Sequence, residues 1–135
     1  MSEAYSVYWP QKRWHAHFRE ANLSGAFMGG IELPGADLRQ ADLGSADVSG
    51  ADLNGAMLRR AILNGGADLS GTTLINADLR NANLASADLT GADLRGANLA
   101  GANLGGANLR GARGLTKEQL AKAHLDRQTK VPPGL

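Results

Sequence analysis

The 135 residues include no cysteine, only four prolines, six aromatics and no long apolar run. Without cysteine there is no disulfide framework, thiolate metal site or cysteine nucleophile. No segment approaches the ~20 apolar residues of a membrane-spanning helix, and the N-terminus lacks the apolar stretch of a signal peptide. The cytoplasm is therefore the expected location, with no membrane partner. Charge of one sign is also lacking: 14 Lys and Arg face 13 Asp and Glu, a formal net charge of +1. That balance does not argue for direct binding of nucleic acid or of an anionic membrane. No Ser–His–acid arrangement, phosphate loop or cluster of metal ligands is visible. His15 and His17 can share a strand face but have no third ligand. No cofactor, metal or enzymatic activity is expected.

What is present is a period of five. From Ala16 to Gly111 the chain reads as nineteen pentads, broken once by the additional Gly66. The first position is Ala in seventeen, the third Leu in sixteen, the second Asp or Asn in thirteen and the fifth Gly in twelve. Such a period outranks local propensity. Five fits neither the 3.6-residue helix nor a long alternating strand. Within a pentad, however, Ala and Leu stand two apart and face one way in extended backbone, with the second and fourth residues facing the other. Gly at position five allows a corner. Stacked coils with flat sides follow, filled by Ala and Leu ladders at a spacing of ~4.8 Å.

The A(D/N)LXX tandem over residues 16–111 resembles the pentapeptide repeat proteins. The resemblance implies an all-β solenoid, a right-handed quadrilateral β-helix with four pentads per coil, here nearly five coils. Residues 1–15, aromatic and outside the repeat, are expected to cap its N-terminal end or, alternatively, to form an exposed patch that recruits a partner. Residues 112–135 are expected to form a helical cap and tail, and the ending GLTKEQL…DRQTKVPPGL is similar to an extension common in bacterial members. Thr116 and Gln119 have capping-box spacing, which predicts a helix from about Lys117 to His124 with Leu120, Ala121 and Leu125 on one face. His124 would then be a favourable last-turn residue. Leu120 and Leu125 suit either a lid or a homodimer contact.

Residues twenty apart, or twenty-one across Gly66, should stack. One side then carries Arg19, Arg39, Arg59 and Arg80, a column that repels itself unless carboxylates such as Asp37 and Asp78 or a polyanion intervene. The next side, with Ser24, Gly44, Asn64, Ala85 and Gly105, is nearly bare and would admit a second rod. A third aligns Asp47, Asp68 and Asp88, and the fourth carries Glu32, Asp52 and Asp93. Aspartates at position two also suit turn hydrogen bonds. Around Gly66, Met57, Ile62 and Ile75 put apolar residues outward on three sides. With Arg59 and Arg60 beside them they form a candidate contact belt, or simple drift around a bulge.

Residues 16–111 hold seven Arg against ten Asp or Glu, a formal −3, and residues 112–135 hold five basic and two acidic residues, a formal +3. The expected role is a non-catalytic interaction scaffold for a protein partner. The resemblance also implies an alternative, since some family members imitate a DNA duplex and bind DNA gyrase or topoisomerase IV. Such rods are strongly acidic, usually dimeric and longer.

Overall fold

The structure, a computed structural model, describes residues 16–135. The expected aromatic cap of residues 1–15, with Tyr8, Trp9 and Trp14, lies outside the described residues, as does His15. Each pentad makes one isolated parallel bridge at its second residue, not an extended strand. Successive bridges run His17–Asp37–Met57–Asp78–Asn98, Asn22–Asp42–Ile62–Asn83–Asn103, Phe27–Asp47–Asp68–Asp88–Asn108 and Glu32–Asp52–Thr73–Asp93–Arg113. Four ladders that repeat every twenty residues mean four sides to a coil.

The hydrogen bonds explain why the period is five. In the pentad Ala36–Gln40, Asp37 N donates to Ala16 O in the preceding coil at 2.9 Å. Leu38 N and Gln40 N donate to Met57 O and Arg59 O in the following coil at 2.8 and 3.0 Å. The corner closes when Ala41 N donates to Leu38 O at 3.0 Å. Only the fourth N–H remains, and it is taken by the second side chain: Arg39 N donates to Asp37 Oδ1 at 3.2 Å. Asp or Asn at position two therefore completes the donor inventory of each pentad, which a stacked interior requires.

Position five turns with positive φ in every pentad, and Gly is preferred there for that reason. Seven non-Gly residues adopt it: Glu20, Gln40, Arg60 and Asn81 at the corner that follows the arginine side, and Ser45, Asn76 and Ser86 at other corners. Inside, the Ala and Leu positions from Leu33 to Leu109 are almost entirely buried, and Thr72, the Ala substitute, donates its hydroxyl to Val48 O at 2.8 Å.

Gly66 is absorbed at a corner. Asn64 O, in place of Leu63 O, accepts from Ala67 N at 3.2 Å, and Gly65 and Gly66 have φ of 65° and 81°. The bridges step from twenty to twenty-one residues there, and the apolar frame is unbroken. Deleting Gly66 would leave a four-residue turn with Gly65 already in the left-handed region. The expected change in stability is within about 1 kcal/mol by denaturant titration. Loss of cooperative unfolding would contradict this account.

The helix α1 spans Lys117–Ala121, shorter than the spacing predicts. Its capping box is made as expected: Thr116 Oγ1 accepts from Gln119 N, and Gln119 Oε1 accepts from Thr116 N. It ends early because the ladder recruits the chain that follows. Gly101 N donates to Lys122 O at 2.8 Å and Leu104 N to His124 O at 2.7 Å, so His124 is a bridge residue opposite Asn103, not a last-turn residue. Leu120 is 8% exposed and packs on the core, whereas Ala121 is exposed and Leu125 is 38% exposed, so the three do not share a buried face.

Candidate interaction surface

The bridges align Arg19, Arg39, Arg59 and Arg80 as the spacing predicts, but they are not equivalent. Arg39 Nε and Nη2 donate to Asp37 Oδ1 and Oδ2 at 2.8 and 2.7 Å. Arg80 grips Asp78 in the same fork at 2.8 and 2.6 Å. Arg19 and Arg59 have no carboxylate within ion-pair distance among the described residues, because position two beside them is His17 and Met57. The column is thus neutralised on alternate coils rather than throughout. On the fourth side Asp93, 1% exposed, is held by Arg95 at 2.9 and 2.5 Å, with Arg113 at 3.7 Å. Asp37 is likewise buried, although the alternation places both aspartates outward. They lie along the surface beneath their arginines.

These contacts fix the ionisation. The hydrogen bonds from Arg39 hold the Asp37 carboxyl at about 2, against an ordinary value of 3.8. Arg80 and Arg95 lower Asp78 and Asp93 in the same direction, against the opposing effect of burial. A depressed native pKa contributes stability above the unfolded value and loses it as pH falls through the native one. The thermal midpoint should therefore be flat near neutrality and decline below pH ~4 towards ~2. Asp37→Asn with Asp78→Asn should lower the neutral midpoint and flatten that decline in a pH series. An unchanged acid slope would refute the assignment.

Asp47, Asp68 and Asp88 line up on the third side, each accepting from a hydroxyl at position four: Ser49 and Ser70 at 2.6 Å, and Thr90. The Asp47 carboxyl is lowered by the Ser49 hydroxyl and N–H. This side is acidic, and one oxygen of each carboxylate, Oδ1, is already engaged. Its first rung is Phe27, 93% exposed.

Met57, Arg59, Arg60 and Ile62 meet around one corner, with Met57 half-buried and Ile62 37% exposed. Ile75 is separate, half-buried on the fourth side. The donor inventory sets this corner apart from the coils directly above and below it. Where position two is not Asp or Asn, the fourth N–H is rescued at Ile75, whose N donates to Asn54 Oδ1 at 2.9 Å, and Pro34 has none to offer, whereas Arg19 N and Gly29 N in the first coil find no acceptor among the described residues. At Met57 and Ile62 no rescue occurs, and Arg59 N and Asn64 N find no protein acceptor among the described residues. Two adjacent pentads forgo a bond that their neighbours on the same two sides make in the coils above and below. The sequence carried this signal, since it follows from reading position two as an acceptor for position four.

Leu120 belongs to the cap. Leu125 lines a shallow apolar groove with Val131 and Leu135. No group of three or more metal-ligating residues occurs among the described residues, and none of their helices is long and apolar enough to cross a membrane.

The family model for pentapeptide repeats matches in eight copies, over residues 16–55, 36–65, 66–99 and 77–113. Among solved structures, the pentapeptide repeat protein Rfr23 from the cyanobacterium Cyanothece 51142 is 29% identical, with 82% of this chain and 90% of that one covered and a TM-score of 0.62. A pentapeptide repeat protein of the Arabidopsis thaliana thylakoid lumen is 34% identical over 77% of this chain and 74% of its own, also at 0.62. QnrB1, a plasmid-mediated fluoroquinolone resistance protein, is 22% identical over 87% and 63%, with a TM-score of 0.40. No curated protein matches.

Proposed function

The chain belongs to the pentapeptide repeat family, and on that premise we propose that it is a non-catalytic scaffold that docks a protein partner at the corner formed by Met57, Arg59, Arg60 and Ile62. The right-handed stack of nearly five coils is then a rigid support for that corner. One observation carries the reading. Met57 and Ile62 replace the residue type that completes the hydrogen-bond inventory, and they leave Arg59 unneutralised while Arg39 and Arg80 are held by aspartates. An apolar pair flanking two guanidinium groups that make no ion pair among the described residues suits a partner segment that brings a carboxylate or two beside an apolar anchor. The open N–H groups of Arg59 and Asn64 add donors to the same patch.

Affinity capture with wild type, Arg59→Glu/Arg60→Glu and Asp47→Lys/Asp68→Lys/Asp88→Lys tests this, with a photo-crosslinker at position 59 to map contact. A partner that crosslinks at 59 and is lost, by tenfold or more on the ~1.4 kcal/mol scale, only in the arginine variant is the expected result. Equal capture by all three proteins would overturn it.

A second reading is favoured by the aligned carboxylates of Asp47, Asp68 and Asp88: imitation of a DNA duplex towards DNA gyrase or topoisomerase IV in the cytoplasm. The formal −3 of residues 16–111 is small for that role. A supercoiling assay decides: inhibition or quinolone protection that disappears in the aspartate variant would move the site to the third side.

A further inference from the structure

The chain contains the dipeptide Asn-Gly twice, at Asn54-Gly55 and Asn64-Gly65, and a leucine precedes both. In such a pair the backbone nitrogen of the glycine can attack the asparagine side-chain amide, because glycine has no Cβ to hinder the approach. Local sequence makes the two sites equally reactive, and the fold separates them.

Asn54 is held by three hydrogen bonds. Its N–H donates to Asp52 Oδ1 at 3.0 Å, and its Oδ1 accepts from Ile75 N at 2.9 Å. The nitrogen that would attack, Gly55 N, donates to Ile75 O at 2.8 Å. Among the described residues Asn64 makes none of the three. Ile62 at position two offers Asn64 N no acceptor, and the Asn64 side-chain amide has no partner. Gly66 is what frees Gly65 N. From Glu20 to Gly91 every other position-five N–H donates to the position-four carbonyl of the following coil. On the same side, Ser45 N donates to Asn64 O at 2.9 Å and Ser86 N to Gly105 O at 2.8 Å. That pattern assigns Gly65 N to Ala85 O, and the bulge that absorbs Gly66 leaves the bond unmade. Gly65 and Gly66 are exposed and Asn64 is half-buried, so water reaches the site.

We propose that Asn64 is a site of spontaneous deamidation in the folded protein, and that Asn54 is protected from it. Gly65 N attacks Asn64 Cγ. The N–Cγ bond forms and the Cγ–Nδ2 bond breaks. The Gly65 amide proton passes to solvent, and the leaving nitrogen takes a proton from water and departs as ammonia. Water then opens the cyclic imide at one carbonyl or the other, which gives aspartate or its backbone-shifted isomer. Nothing is oxidised or reduced. Either product adds a carboxylate to the nearly bare second side. The isomer also adds a methylene to the main chain, at the corner that already holds one residue more than the others. The reaction does not depend on docking at Met57, Arg59, Arg60 and Ile62, although it changes the charge beside them.

The test is to age the folded full chain in warm, mildly alkaline buffer and map it with trypsin by mass spectrometry. Cleavage after Arg39, Arg59, Arg60 and Arg80 puts Asn54 and Asn64 on separate peptides. Asn64 should convert about tenfold or more faster than Asn54, a difference of ~1.4 kcal/mol in barrier. In the chain unfolded by urea the two rates should agree within about twofold, since the hydrogen bonds that distinguish them are gone. Deletion of Gly66 gives Leu-Asn-Gly-Ala at both sites and lets Gly65 N reach Ala85 O. Conversion of Asn64 should then slow several-fold. Equal rates at the two sites in the folded wild type would overturn the proposal. So would an Asn64 that stays intact while the unfolded chain converts, or undiminished conversion in the folded deletion variant. Should that variant unfold, the comparison of Asn64 with Asn54 in the wild type decides.

Discussion

Removal of residues 115–135 is expected to lower stability by roughly 5 kcal/mol and to turn the rod into a self-associating species. The tail does what a further coil would do. Leu120 covers the last apolar layer and contributes about 2 kcal/mol at ordinary transfer values. Gln119 Nε2 donates to Leu94 O and to Ala97 O, each at 2.9 Å, and Thr129 Oγ1 donates to Leu104 O at 2.8 Å. Asp126 Oδ1 accepts from Gly106 N at 3.0 Å, and hydrogen bonds from Gly106, Gln128 and Thr129 keep its carboxyl ionised below the ordinary range. Each such contact is worth ~1 kcal/mol net. The backbone adds Leu109 N to Lys130 O at 2.7 Å and Lys130 N to Ala107 O at 2.9 Å. Side chains and backbone together satisfy an edge that would otherwise pair with another copy. Denaturant titration and sedimentation of the truncated chain check both parts. A monomer with an unchanged midpoint would show that the tail is not a cap.

That cap also marks where sequence reasoning stops. The inward Ala and Leu, the stacking interval and the step at Gly66 follow from side-chain alternation and a count of residues, so the columns of Arg19, Arg39, Arg59 and Arg80 and of Asp47, Asp68 and Asp88 were readable from the sequence. The length of α1 was not. Local capping signals set its start at Thr116, but its end depends on which carbonyls the rod requires, and Gly101 and Leu104 draw Lys122 and His124 out of the helix. Burial of Asp37 and Asp93 was equally hidden, because alternation gives direction but not whether an arginine two residues on folds back over the carboxylate. Non-equivalence within the arginine column was legible in principle: position two reads His17, Asp37, Met57, Asp78, and only the aspartates can pair.

Leu84→Ala is expected to cost about 3 kcal/mol or more, in the upper part of the ordinary range for a buried leucine. Leu84 is fully buried and stacks between Leu63 and Leu104 in one ladder. The cavity left behind cannot collapse easily. The coils around it are tied by hydrogen bonds, as Leu84 N to Asn103 O at 2.8 Å and Asn83 N to Ala61 O at 2.9 Å show. A solenoid also feels a central defect at two interfaces, where a terminal one is felt at one. Leu23→Ala, at the top of the same ladder, supplies the comparison. Half-buried as the first coil leaves it, Leu23 would lose only about 1 kcal/mol, since less of its surface is withdrawn from water. Denaturant titrations of the two variants compare a central with a terminal position in one ladder. Equal costs for the two substitutions would contradict this account.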